Sequence, residues 1–435
     1  MKKVVIIGAG VAGLTLAYRM LKNGYSVKIY ERGMGVGGQL HTISIEGLNT
    51  EVYYHHTFLS DKNFIKLCSE LGIEKKLKYY NSSMAYYTNK KTYPFGSPID
   101  LLRFTPLNFI NKLKFIISIF SLQRMSNISN VQGFSAKEWF ELNSYGEVWK
   151  IIWEPLFKLK FSNLSNDISL VWLWDKLLKR GKSRSGTKEK LCYMENSFHS
   201  LAKSLKEKIE EMGGEFFLDT EVENIKKIKD QFVISAKNTN TEADFVLSTL
   251  TSTQNRMLYD FSSNYINYLK KYKYQAAICA IFELNSSFSK YYWTNIGDYD
   301  LPFGGVIEHT NLVGKDGYNG KTILYVSRYL DEHSDFFNLK KEEIVKEFTQ
   351  GLMEMNPEFN ESQIMKSHLF KQKDAQPIVL KGYEKPMVET EIKNLFWIST
   401  HHVYPHDRGI EYAIEEAEKL SISIIKSNNI KINKN

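Results

Sequence analysis

The sequence predicts an α/β protein, a Rossmann-like dinucleotide-binding domain interleaved with an α+β substrate domain. Three observations predict it. Residues Lys2–Gly13, KKVVIIGAGVAG, run an apolar segment straight into Gly8-x-Gly10-x-x-Gly13. An acid, Glu31, follows Gly13 by 18 residues. The chain, at 435 residues, is longer than one ordinary core requires.

Val4–Ile7 is the continuous apolar run expected of a strand buried on both faces. Leu14–Leu21 then opens a helix with apolar spacing, and Val27–Tyr30 reads as a second strand ending at Glu31. In such a unit Gly8 makes the tight turn, Gly10 admits a pyrophosphate against the backbone, and Gly13 permits close helix–strand packing. The helix N-terminus offers free N–H groups and positive dipole to the phosphates. Ala9 and Ala12 belong to the same candidate cofactor loop. Glu31 is placed to accept ribose hydroxyls, with Arg32 beside it.

A second glycine loop, Gly33-Met-Gly35-Val-Gly37-Gly38-Gln39, follows that acid directly. It suits a ligand longer than a simple nicotinamide dinucleotide, lying so close that side chains are excluded. Here the chain resembles the flavoprotein superfamily of amine oxidases, protoporphyrinogen oxidases, phytoene desaturases and UDP-galactopyranose mutases. That superfamily's signature is GxGxxGL, an acid, then GGxxxT, and Gly8–Leu14 and Gly37–Thr42 match it in type and spacing. The resemblance implies FAD, held by Gly37, Gly38 and Gln39 as well as the first loop. Gln39 departs from the Arg that many relatives carry. No Cys or His lies in a flavin-attachment motif, so the expectation is non-covalent FAD.

Composition is that of an ordinary globular protein, 43% hydrophobic and 24% charged. The 14% aromatic content suits a pocket for a large, partly apolar substrate. A net charge of +8 without a basic block gives no sign of nucleic acid, and suits anionic substrates or an anionic membrane surface. Cys68, Cys192 and Cys279 are odd in number and widely spaced, which argues against a disulfide framework or zinc site. With no signal peptide and no long apolar run, the expected location is cytoplasmic, with association at a membrane surface left open. The oligomeric state is not legible.

Along the chain, the FAD-binding domain is expected from residues 1–78, 191–250 and 385–430, and the substrate domain from 79–190 and 251–384. Asp61–Leu71 reads as a helix, Met84–Thr88 and Thr92–Pro94 as short strands, and 99–179 as largely helical. Asn108–Met125 is strongly apolar with basic edges, either buried or lying at a membrane interface, and burial is the expectation. Arg180–Lys190 reads as a mobile surface loop. Asn196–Met212 reads as a helix, and Glu215–Leu218, Phe232–Ala236, Ala243–Thr249 and Leu395–Thr400 as strands. Glu411–Lys426 reads as the terminal helix.

Further cofactor contacts follow from the same resemblance. Asp219–Val222 resembles the turn that lays the adenine against a backbone valine, which makes Val222 a candidate. Phe396–Thr400 with Asp407–Ala413 resembles the closing flavin motif. Thr400, Arg408, Gly409 and Glu411 are its candidates, the helix start stabilising negative charge on reduced flavin. Histidines cluster at His55-His56 and at His401-His402-x-x-x-His406. Residues 401 and 402 point oppositely on a strand and lack a matching acid or cysteine, so no metal is expected.

In the substrate half, Trp149–Phe161 and Trp172–Trp174 form an aromatic cluster expected to be core. Strands at 302–311 and 323–329 are expected to roof the pocket. His55, Glu308, Tyr325, Arg328 and Tyr383 are its candidate substrate contacts. His56 and His309 are the candidate catalytic groups, since neutral imidazole accepts a proton near neutrality. A closer resemblance, over nearly the whole chain, is to protoporphyrinogen-oxidase-like proteins, through YHHxF, PLFKxKF, the IEHTN strand, AQPIV and YPxDRGxxYAI. It implies an FAD-dependent oxidoreductase passing hydride from a substrate C–H bond to flavin, with a small-molecule, lipid- or sugar-linked substrate. Electrons would return to O2 or another acceptor. The alternative is a UDP-galactopyranose-mutase-like isomerase without net redox change, for which the paired arginines and tyrosines of a diphosphate site are not evident.

Overall fold

The computed structural model describes residues 1–125, 127–185, 188–237 and 239–432. Strand Lys3–Ile7 lies at the centre of a five-stranded parallel sheet. Ser26–Tyr30 and then Glu215–Phe217 flank it on one side, Phe245–Ser248 and then Leu395–Trp397 on the other. Its side chains from Val4 to Ile7 are buried, as the unbroken apolar run requires. Helix Val11–Lys22 packs on this sheet together with His199–Glu211 and the terminal helix Ile410–Ile432, through Leu14, Ala17, Leu201, Leu205, Ile414 and Ala417. Arg19 pins the terminal helix from outside, bonded to Glu418 and Glu70.

A second sheet has seven strands. In order these are Ile364–Pro377, Tyr274–Leu284, Thr322–Leu330, Gly305–Glu308, Trp293–Ile296, Met84–Thr88 and Lys91–Pro94. All pairings are antiparallel except that between Trp293–Ile296 and Met84–Thr88. Helices Pro98–Arg103, Phe109–Arg124, Ala136–Leu142, Glu154–Phe161 and Leu170–Lys182 supply the expected helical region. A further strand, Lys188–Met194, pairs with Leu77–Asn81 and with Thr57–Phe58.

Three expectations are corrected. The loop expected at 180–190 is the end of helix Leu170–Lys182 followed by strands from Arg184 and Lys188; Ser183 and Glu189 are buried there, and residues 186 and 187 lie outside the described residues. Helix Phe109–Arg124 is not buried: only Ser118 and Leu122 are, and several of its large apolar side chains face outward. His401 and His402 sit in a turn, because strand Leu395–Trp397 ends early and His402 Nδ1 accepts the Ser399 backbone N–H at 3.0 Å.

Candidate active site

One continuous cavity of about 1860 Å³ runs from the first glycine loop to the underside of the seven-stranded sheet. Ordinary ligand pockets span roughly 300–1,000 Å³, so this one has room for more than one small molecule. Its first end is built by the two glycine loops lying backbone to backbone. Gly8 adopts φ +100°, and Gly37 φ +115°. A Cβ on Gly13 would lie 2.0 Å from the Gly8 carbonyl oxygen, so this glycine serves packing. Gly10 differs: an added Cβ would meet nothing closer than the Gly38 Cα at 3.9 Å. It leaves space on the ligand side. No side chain caps helix Val11–Lys22, and no acid occupies its first turn, which leaves the N-terminal N–H groups to an anion.

Glu31 ties the loops together. Its Oε2 accepts the Ala9 N–H at 2.9 Å and its Oε1 accepts the Gly33 N–H at 2.8 Å. The Glu31 and Gly33 carbonyls in turn accept from Thr220 N and Asp219 N, which brings the turn before Val222 to the same wall. Gly8, Gly10, Ala12, Glu31, Arg32, Gly37, Gly38, Gln39, Val222, Thr400, Arg408 and Gly409 all line the cavity. An uncapped helix end, a glycine cradle and an acid at the ribose position fit FAD.

Glu411 does not belong to this set. Its carboxylate points away and accepts the N–H groups of Asn63 and Phe64, capping helix Lys62–Glu70. Ala9 and Gly13 act through the turn rather than the cavity surface.

The second end is walled by His55, His56, Trp293, Asn295, Gly305, Ser327 and Tyr329, and opposite them by residues of helices Glu154–Phe161 and Leu170–Lys182. His55 Nδ1 lies 2.6 Å from the Tyr53 carbonyl oxygen, so it carries the proton and Nε2 is the acceptor. Burial lowers His55 to about 4, its bond to Tyr53 opposing this. Burial and the cations Arg180 and Lys179 hold His56 at about 3. Both rings are therefore neutral near pH 7, and His56, bonded to Tyr292 Oη at 3.1 Å, is a weak proton acceptor.

The other predicted substrate contacts, and the predicted catalytic His309, fall outside the cavity wall. His309 is buried among Tyr193, Tyr318 and Tyr325. Glu308 accepts the N–H groups of Phe288 and Ser289. Tyr325 donates to the Glu51 carbonyl at 2.6 Å, behind the Tyr54 ring. Arg328 lies on the opposite face of its strand from Ser327 and Tyr329, its guanidinium 4.0 Å from the Phe336 ring centre. Tyr383 Oη bonds His401 Nδ1 at 2.7 Å.

The groups that the sequence reading passed over are cationic. Lys176, Lys179 and Arg180 share one face of helix Leu170–Lys182 and line the cavity, paired with Asp407 at 2.5 Å, Asp61 at 3.2 Å and Glu189 at 3.5 Å. Lys160, from the PLFKLKF segment, lies over the ring faces of Trp172 and Tyr329, each at 4.8 Å. Burial, and then the charge of Lys176, lowers its amine well below the ordinary lysine range. Arg408 donates to Tyr329 Oη and to the Ala375 carbonyl. Asp407 thus faces three basic side chains, Lys176, Lys160 and Arg408; burial would raise its carboxyl, and they, Lys176 foremost, hold it far below the usual range. Helical i, i+3, i+4 spacing at 176, 179 and 180 was the available signal.

Beyond this charged wall, Phe95, Leu101, Phe115, Ile116, Ile119, Ile152, Trp153 and Leu156 line an apolar arm. No group of three His, Cys, Asp or Glu among the described residues is placed to hold a metal ion.

Comparison with known proteins agrees with this geometry. The family model described as flavin containing amine oxidoreductase matches residues 11–420. A mitochondrial protoporphyrinogen oxidase of Nicotiana tabacum is 28% identical over 142 residues, covering 31% of this chain and 28% of that protein. A zeta-carotene desaturase of Arabidopsis thaliana is 26% identical over 189 residues, 38% of this chain and 34% of the relative. The matched stretches thus span about a third or less of these curated relatives. Among solved structures, an oxidoreductase from Methanosarcina mazei superposes with a TM-score of 0.75 at 17% identity, over 96% of this chain and 99% of that one.

Proposed function

The chain belongs to the flavin-containing amine oxidoreductase family, and from that premise we propose that it is an FAD-dependent oxidoreductase acting on an elongated substrate. The substrate is apolar along much of its length and anionic close to its reacting end. The observation that carries this reading is the cavity itself: one end fits the cofactor, the other continues past three basic side chains grouped round one carboxylate into an apolar arm. Bound FAD supplies a two-electron acceptor for hydride leaving a substrate C–H or C–N carbon.

The protein's own groups then have separate tasks. Lys176 and Arg408 exceed the charge of Asp407 by one, which favours a phosphate or carboxylate of the substrate, while Lys160 stands beside them as an unprotonated amine. The apolar arm takes the rest of the molecule; a lipid- or sugar-linked anion meets both demands. His55 presents Nε2 as an acceptor, and neutral His56 aligns a polar substrate group. Lys160, with its lowered amine pKa, is the group that takes a proton from the substrate as hydride leaves. O2 is the proposed final acceptor.

The test is binding to the purified yellow protein, read as perturbation of the flavin spectrum. Polyprenyl phosphates and nucleotide sugars are compared with uncharged analogues of the same length. Anionic ligands perturb the spectrum at lower concentration than neutral ones, and Lys176→Gln weakens only the anionic set. Equal affinity for charged and neutral analogues contradicts the assignment of the cationic wall.

A further inference from the structure

We propose that the outward face of helices Pro98–Arg103 and Phe109–Arg124 docks on an anionic lipid bilayer. Helix Phe109–Arg124 carries apolar residues around most of its circumference. Such a helix ordinarily lies inside a core. Here Ile110, Leu113, Ile117 and Phe120, spaced three and four residues apart, form one outward stripe with exposures of 64%, 45%, 52% and 57%. Ile99 and Leu102 on the preceding helix extend it. Lys112 Nζ donates to the Leu102 carbonyl at 2.7 Å, joining the two helices.

The charge around this patch decides what it meets. Between residues 99 and 124 the cations are Arg103, Lys112, Lys114 and Arg124, and the only acid is Asp100. The Asp100 carboxylate is taken up at the helix start, accepting from Ser97 N and Ser97 Oγ. An apolar stripe with basic edges, on a segment whose one acid is taken up at a helix start, is complementary to acyl chains beneath anionic headgroups. No helix among the described residues is long and apolar enough to cross a membrane, so the contact is peripheral.

The same helix turns Phe115, Ile116 and Ile119 into the apolar arm of the cavity, with Phe120 of the stripe at the edge of both. One helix therefore has the bilayer on one side and the substrate chamber on the other. Lipid docking is independent of which substrate the chamber takes; only delivery of a lipid-linked substrate rests on the proposed function, so vesicle binding can succeed or fail by itself.

The experiment is flotation of the flavin-loaded full chain with phosphatidylserine-rich vesicles and with pure phosphatidylcholine. The parent protein floats with the anionic vesicles and far less with the neutral ones. Leu113→Glu combined with Ile117→Glu abolishes flotation while the flavin band and thermal melting are retained. Arg103→Gln and Lys114→Gln each weaken binding about five-fold. Should the double variant lose its flavin, Ile110→Gln at the exposed first turn carries the same test. The proposal is overturned if the parent protein stays unbound, or if these variants float like the parent. It is equally overturned if light scattering shows a dimer that the double variant dissociates while vesicles bind neither, since the stripe then belongs to a second copy.

Discussion

Lys176 Nζ meets Asp407 Oδ2 at 2.5 Å, linking helix Leu170–Lys182 to the turn that leads into the terminal helix. The neighbouring residue reinforces the link. Asp175 accepts from the Asp407 N–H at 3.2 Å and pairs with His406 Nδ1 at 2.6 Å. Helix Leu170–Lys182 thereby fixes the turn bearing Arg408 and Gly409, which face the cavity, so the two ends of the cavity are set by one network.

Removing the carboxylate from that network leaves Lys176 and Arg408 facing each other beside the Lys160 amine. Asp407→Asn should cost about 2–3 kcal/mol at pH 7, reduced from a fully buried pair because Lys176 is partly exposed. The sign with pH follows from the depressed folded-state pKa. The contribution is full above the unfolded carboxyl value near 4 and is lost as the pH falls below it. Urea unfolding of parent and variant at pH 7 and pH 3 should show the gap narrowing in acid.

The two glycines flanking the first helix turn should separate binding from folding. Gly10→Ala leaves melting of the flavin-free protein nearly unchanged, since its Cβ has room, but weakens FAD by at least about tenfold, because that room is the ligand's. Gly13→Ala lowers the melting temperature with or without FAD, because its Cβ would fall 2.0 Å from the Gly8 carbonyl oxygen. Calorimetry and flavin titration on both variants check this.

Lys160→Met should slow substrate-dependent flavin reduction by about 10²-fold, the ordinary size of a general-base contribution. The parent rate should rise with pH through the lowered amine pKa and then level, and the variant should lose that limb. His56→Gln should keep the limb and alter substrate affinity. Rapid-mixing absorbance at several pH values distinguishes the two residues.

The cofactor half was legible because backbone geometry dictates its residues. Gly8 and Gly37 hold positive φ, Gly13 has no space for a methyl group, and each leaves a fixed mark in sequence. The substrate half was not, because its wall depends on register and on which face of an element is covered. Tyr325 and Tyr329 lie on one face of the same strand, yet Tyr54 and Glu51 cover only the first. Glu411 matched a motif position, but the nearest uncapped helix end, at Asn63 and Phe64, claims its carboxylate. Lys160 lay within an aromatic run, where pairing alone, invisible in sequence, marks it out.

The most direct measurement is anaerobic titration of the flavin-loaded protein with a substrate identified by binding, followed at the flavin absorption band and by product analysis. The account predicts that one equivalent of substrate bleaches one equivalent of flavin, that the product is oxidised by two electrons, and that admitting O2 restores the band. A product that is an isomer of the substrate, formed only after the flavin is reduced with dithionite and without consuming any acceptor, would contradict it.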